Sequence, residues 1–207
     1  MSVAEDENSL SSMSLEELWE LFPIILVEPQ EKWEQQYQAM RARIEDALGN
    51  VADSRISHVG STAISGIWAK DIVDILVEVG SDDDLEMVAQ VLGRRGFIRM
   101  RTEPHRVSLN YGYTPQGFAE NVYHLHVRIF GDNDELYFRD YLNENPEVAQ
   151  EYQAVKLSIW KQYEHDRDAY TEAKAAFVRK CTEEARRIYG KRYGECEQGR
   201  WPSENDA

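Results

Sequence analysis

The chain has 207 residues, enough for one domain with a full core, and 38 Asp and Glu against 23 Lys and Arg leave a formal net charge of −15. That balance argues against a protein that coats nucleic acid, which needs a basic face, although a local basic pocket is compatible with an acidic surface. No apolar run reaches the length of about eighteen residues that a membrane span requires.

The opening "MSVAEDENSLSSMS" is acidic and polar, without the basic and apolar regions of a signal peptide, and residues 1–13 read as a disordered acidic leader. Ser14 with Glu17 three residues on forms a capping-box pattern that starts a short helix. "PIILV" predicts a strand over 24–27. A helix follows through 28–48, with Trp33, Tyr37, Met40, Ile44 and Leu48 on one stripe and Gly49 past its end. Strands are expected at 55–59, 72–79, 97–101, 106–112 and 121–130, with a helix near 83–94. "NENP" at 143–146 separates a helix across "DELYFRDYL" from a long one beginning at Glu147, and a last helix runs from about Asp168 to Tyr189. Trp33, Trp160 and the tyrosines fall at helical spacing and are expected in the core. Strands interleaved with helices and then helices alone predict an α+β fold, a mixed sheet with flanking helices and a C-terminal helical segment. The expected organisation is one domain over 14–192, with its sheet core in 14–131, its helical part in 132–192, and a disordered tail over 193–207. The two cysteines, Cys181 and Cys196, are too few for a disulfide framework or a zinc site and read as free thiols in a reducing cytoplasm.

The stretch "HVGSTAISGIWAKDIVDILVEV", His58 to Val79, carries the chemistry. Gly60 can take backbone angles closed to other residues, and Ser61 and Thr62 are good helix N-caps and hydroxyl donors. A helical turn starting there would present free N–H groups to a phosphate. Alternation places Asp74, Leu76 and Glu78 on one face of the following strand, and Val73, Ile75 and Val77 on the other. A carboxylate in such a run needs a partner. A divalent metal is one candidate, and Lys70 or an arginine is another. In "YHLHVRIF", His124, His126 and Arg128 share a strand face, suited to metal ligation, general-base work or a plain hydrogen-bonded surface.

"HVGSTAISGIWAKDIVDI" resembles the signature of the GrpB family, H-V-G-S-T-A-V-x-G-x-x-A-K-P-I-I-D-I. The resemblance continues in "HLHVR" (124–128), "FRDYLNENPEVAQEYQAVK" (138–156) and "DRDAYTEAKAAFVRK" (166–180), and covers roughly residues 24–180. It implies a nucleotidyltransferase-like fold. In that superfamily a Gly-Ser turn grips nucleotide phosphates, an Asp-x-Asp/Glu pair holds two metals, and a later strand supplies a third carboxylate. Carried over, Gly60 and Ser61 match the Gly-Ser, and Asp74 matches the first Asp and a magnesium ligand. Position 76 is Leu, and Glu78 lies about 13 Å along the strand from Asp74, so the second metal ligand is missing. His126 would occupy the place of the third carboxylate, with His124 as a further assisting group, Lys70 and Arg128 would contact phosphate beside Thr62, and His58 would orient the loop. Arg106 is a further phosphate candidate, while Arg139, Lys156, Tyr170 and Lys174 read first as residues docking the helices onto the sheet.

Three functions follow as expectations. One is Mg²⁺-dependent nucleotidyl transfer with Asp74, His126 and His124 as the working groups. The second is a non-catalytic module for a nucleotide or other phosphorylated small molecule, and the third is a protein-interaction domain with a vestigial site.

Overall fold

The computed structural model describes Leu10, residues 12–49 and residues 53–194. Cys196, most of the acidic leader and all but Tyr193 and Gly194 of the expected tail lie outside them. Helix α1 (Leu15–Leu21) begins with the capping box, the Ser14 hydroxyl accepting from the Glu17 N–H and the Glu17 carboxylate from the Ser14 N–H. A two-residue strand β1 (Leu26–Val27) leads into α2 (Lys32–Leu48), whose buried residues are the five of the apolar stripe. The helix starts four residues later than the periodicity predicts and stops at Gly49, which takes φ 51°.

Then come β2 (Ser54–Val59), a 3₁₀ turn (Ser61–Ala63), the short β3 (Ala69–Lys70), β4 (Val73–Val79), α3 (Asp82–Gly93), β5 (Ile98–Glu103), β6 (Arg106–Thr114) and β7 (Gly117–Ile129). Three helices follow: α4 (Asp134–Glu144), α5 (Pro146–Ile159), with proline in its first turn, and α6 (Arg167–Tyr189). The main sheet has the order β2-β4-β7-β6-β5, antiparallel throughout except for the parallel pair β4–β7, while β1 and β3 form a separate two-stranded ribbon. The expected strand over 72–79 is therefore preceded by a distinct strand, because residues 69–70 pair with β1 instead of continuing into the sheet.

Alternation in β4 and β7 divides the sheet into two unlike faces. Val73, Ile75, Val77 and Val79 join Tyr123, Leu125 and Val127 in the main core, closed by α2 and α3. The opposite face carries Asp74, Leu76 and Glu78 beside His124, His126 and Arg128, paired in that order. The C-terminal helices pack near this polar face. Ile64 and Ile67, from the loop after the 3₁₀ turn, are buried among Phe138, Leu142, Ala149, Tyr152 and Cys181, so the loop is wedged against the helices. Trp160, expected in the core, is half-buried at the C-cap of α5 with the Lys161 ammonium over its ring. None of the helices among the described residues is long and apolar enough to cross a membrane.

Glu78, fully buried, accepts from Arg55 Nε at 2.6 Å, Asn133 Nδ2 at 3.1 Å and the Gly131 N–H at 3.2 Å. It ties the edge strand to the start of the helical part. Glu78→Ala leaves Arg55 without its counter-ion and is expected to cost about 3–5 kcal/mol in urea unfolding, whereas an exposed pair such as Arg41–Glu45 is expected to contribute no more than about 0.5 kcal/mol.

Candidate functional site

The site is built where β2 turns into β4. Gly60 takes φ 70° and ψ −171°, in the region that favours glycine, and a Cβ there would lie 2.3 Å from Asp74 Oδ2 and 2.8 Å from its Cγ. Glycine is thus required twice, by the backbone angle and by the carboxylate against its Cα. The turn that follows is a single 3₁₀ turn without a side-chain cap, shorter than the helix start that Ser61 and Thr62 predict.

Five side chains from α4 and α5 hold the loop. Arg139 Nη1 donates to the His58 carbonyl at 2.8 Å. Asn143 donates to the Ala63 carbonyl and accepts from the Ser65 N–H, both at 2.9 Å. Gln150 donates to the Gly66 carbonyl, Gln153 accepts from the Trp68 N–H at 2.7 Å, and Lys156 Nζ donates to the Trp68 carbonyl. On the turn's far side, His58 stacks on Tyr37 with ring centroids 4.7 Å apart and lies 3.0 Å from Thr62 Oγ1 through Nε2. Its Nδ1 faces Glu34 at 3.4 Å. Burial pushes the His58 imidazole pKa down, against the pull of Glu34. His58 and Thr62 line a separate cavity of about 710 Å³.

Parallel pairing sets Asp74 directly opposite His124. Asp74 Oδ1 is 3.1 Å from His124 Nδ1 and 3.4 Å from His126 Nε2. Tyr113 OH is 2.7 Å from His124 Nε2 and accepts from Arg167 Nη2 at 2.5 Å. The end groups orient this chain: a guanidinium only donates and a carboxylate only accepts. In the neutral imidazole that burial favours, Nδ1–H donates to Asp74 and Nε2 accepts from the Tyr113 hydroxyl, which completes the chain. Burial drives the His124 pKa down to about 4, against the pull of Asp74 and with help from Lys70 and Arg167. For Asp74, burial works upward but is outweighed by the two imidazole hydrogen bonds, which hold the carboxyl well below its ordinary range.

Asp74, His124 and His126 form the floor of a cleft of about 960 Å³, with Gly60 and Ser61 at its rim and α6 along one wall. Of the eight Lys and Arg side chains that line it, four act on one another's surroundings: Lys70 from β3, Lys156 from α5, and Arg167 and Lys174 from α6. Among the described residues none has a carboxylate within ion-pair distance; Lys174 lies over the Tyr170 ring, and Lys156, 1 % exposed, over that of Tyr152. Burial, together with repulsion from Arg167 and Lys174, pushes the Lys70 pKa down to about 7. Burial with Lys174 and Lys70 does the same to Lys156, again to about 7.

The structure thus brings Gly60, Ser61, Lys70, Asp74, His124 and His126 together and adds Lys156 and Lys174, which the sequence placed first in helix docking. Arg128 is drawn off instead to Glu135, 2.9 Å away, because that carboxylate at the start of α4 lies beside it. Arg106 lines the cleft but is held by both Asp132 oxygens at 2.6 and 2.7 Å. Thr62 turns to His58, away from the cleft. Asn143, Gln150, Gln153 and Arg167 fall within the two family-like helical blocks without a signal that singles them out there, and Tyr113, on β6, lies outside them.

The donor set does not fit a pair of magnesium ions. Two-metal sites hold ions about 4 Å apart on several carboxylates, but the positions flanking Asp74 carry imidazoles, and the next strand adds Asn110 and Ser108. Among the described residues no group of three His, Cys, Asp or Glu side chains is arranged to hold a metal.

The family model described as GrpB protein matches residues 23–184. The chain belongs to the GrpB family. The glutamate-rich protein GrpB of Alkalihalophilus pseudofirmus is 34% identical over 160 residues, 75% of this chain and 91% of that protein. The crystal structure of the conserved protein GrpB from Enterococcus faecalis superposes with a TM-score of 0.69 at 27% identity, covering 80% of this chain and 99% of that one. Cid1 poly(U) polymerase reaches a TM-score of 0.47 at 13% identity over 73% of this chain and 46% of its own, a likeness too faint to carry an argument.

Gly60→Ala is expected to destabilise by about 2 kcal/mol more than Gly66→Ala in urea unfolding. Both glycines have positive φ, but a Cβ at Gly66 meets nothing within 4 Å, so the difference reads the contact with Asp74.

Proposed function

We propose that the cleft binds a nucleotide or another phosphorylated small molecule, its phosphates lying between the Gly60–Ser61 turn and the wall of α6. One observation carries the reading. In a chain of net charge −15, Lys70, Lys156, Arg167 and Lys174 face one cleft with no carboxylate within ion-pair distance among the described residues, and burial beside the other cations pushes Lys70 and Lys156 down to about 7. Such an arrangement costs stability until an anion arrives, which is the mark of a preorganised binding site rather than of a structural ion pair. The protein-interaction reading gains nothing comparable.

Nucleotidyl transfer is a second reading, favoured by the Gly60–Ser61 turn set against the ionised Asp74 carboxylate. In it the turn and the cations would hold the phosphates, and the imidazole of His126, beside Asp74, would take the proton of an attacking hydroxyl.

Thermal-shift titration with ATP and inorganic tripolyphosphate tests binding directly. Lys70→Met removes a repelled charge, so it is expected to raise the melting temperature of the ligand-free protein by about 2–4 °C while abolishing the shift. A variant that melts earlier and still shifts overturns the reading.

The pH dependence has a definite sign. Lys70 and Lys156, with folded pKa values near 7, bind fewer protons than the unfolded chain between about pH 7 and 10.5, so their contribution makes stability rise with pH across that window. A bound anion restores the protonated forms. Affinity is therefore expected to fall as pH rises above about 7, and calorimetry in buffers of different ionisation enthalpy should record uptake of up to about two protons per ligand.

A further inference from the structure

We infer that the cleft takes its phosphorylated ligand as the free polyphosphate anion, with Lys70, Lys156, Arg167 and Lys174 in the place that divalent cations hold in two-metal nucleotidyltransferases. The inference rests on the phosphate-binding reading above and adds the species bound.

Two observations carry it. The first is the carboxylate supply. Asp74 turns Oδ1 to two imidazoles and packs Oδ2 against Gly60, so the strand offers a metal at most one carboxylate oxygen without a hydrogen bond. The other acids at the cleft are also committed: Asp132 to Arg106, Asp134 to Arg186 at 2.5 Å, and Glu135 to Arg128. Glu183 also lines the cleft, but from the far part of α6, nine residues beyond Lys174. No second carboxylate joins Asp74 in a metal-binding group among the described residues.

The second is the charge arriving from the opposite wall. A two-metal site is a carboxylate-rich floor whose negative charge draws in the metals, and they in turn draw in the phosphates. Here that order is inverted. Four basic side chains face the Asp74 carboxylate, and the amino groups come from three different elements, so they reach an anion from several sides. A magnesium ion on the phosphates would carry charge into a cleft already rich in cations and would lower the ligand's own negative charge. Asp74 then has another role. It holds the turn through Gly60 and sets the His124–Tyr113–Arg167 chain, which aims the guanidinium along the cleft wall.

Isothermal titration of ATP and of inorganic tripolyphosphate, each in EDTA and in excess Mg²⁺, tests this in the full chain, with Asp74→Asn alongside. The amide is close to isosteric and its oxygen still accepts from His124. The expected result is binding in EDTA that weakens by at least about tenfold in Mg²⁺, and retention or tightening of binding in Asp74→Asn. Binding that needs Mg²⁺, or that is lost in a folded Asp74→Asn protein, overturns the inference while leaving the phosphate-binding reading intact. No binding of either probe under either condition overturns both.

Discussion

The contact between Gly60 and the Asp74 carboxylate organises this molecule. A strand ends at a glycine with positive φ, and the carboxylate of the next long strand fills the space where a side chain would be. Because β2 and β4 are paired antiparallel up to Val59 and Asp74, the turn is held at the sheet's edge by register as well as by contact. The same carboxylate receives two imidazoles from β7, so one residue joins the turn, the two central strands and, through Tyr113 and Arg167, the last helix.

The helical part is joined to that centre by polar contacts, with the apolar wedge of Ile64 and Ile67 behind them. Arg139, Asn143, Gln150, Gln153 and Lys156 satisfy backbone groups of a loop that has little secondary structure to satisfy them internally. A buried loop with unpaired carbonyls and amides would be costly. The helices supply its partners and at the same time form the wall of the cleft. Packing and site construction are therefore one arrangement, and Lys156 belongs to both.

Electrostatics separates the two ends of the cleft. Arg106 and Arg186 on the cleft each meet a carboxylate. Lys70, Lys156, Arg167 and Lys174 have none within ion-pair distance among the described residues, and burial with repulsion from neighbouring cations lowers the pKa of the first two to about 7. An acidic chain that concentrates unpaired cations beside a glycine turn has kept local charge opposite to its overall charge, and only the local charge acts on a bound anion at short range.

Much of this was legible in the sequence. The capping box at Ser14, the stripe from Trp33 to Leu48 and the two-fold alternation of β4 and β7 follow from spacing, because helix and strand periodicities act within one element. Gly60, Ser61 and Asp74 stood out for the same reason, their roles being set by backbone freedom and alternation along a short segment, and the family resemblance sharpened that reading. What the tertiary structure decided were the partners. Strand order placed His124 rather than a carboxylate opposite Asp74, Glu135 claimed Arg128, and the docking of α5 and α6 turned Lys156 and Lys174 into neighbours of Lys70. The Asp74–His124 pair and the approach of Lys156 and Lys174 to Lys70 join residues 50 or more positions apart, and they depend on register and docking, which no local pattern encodes.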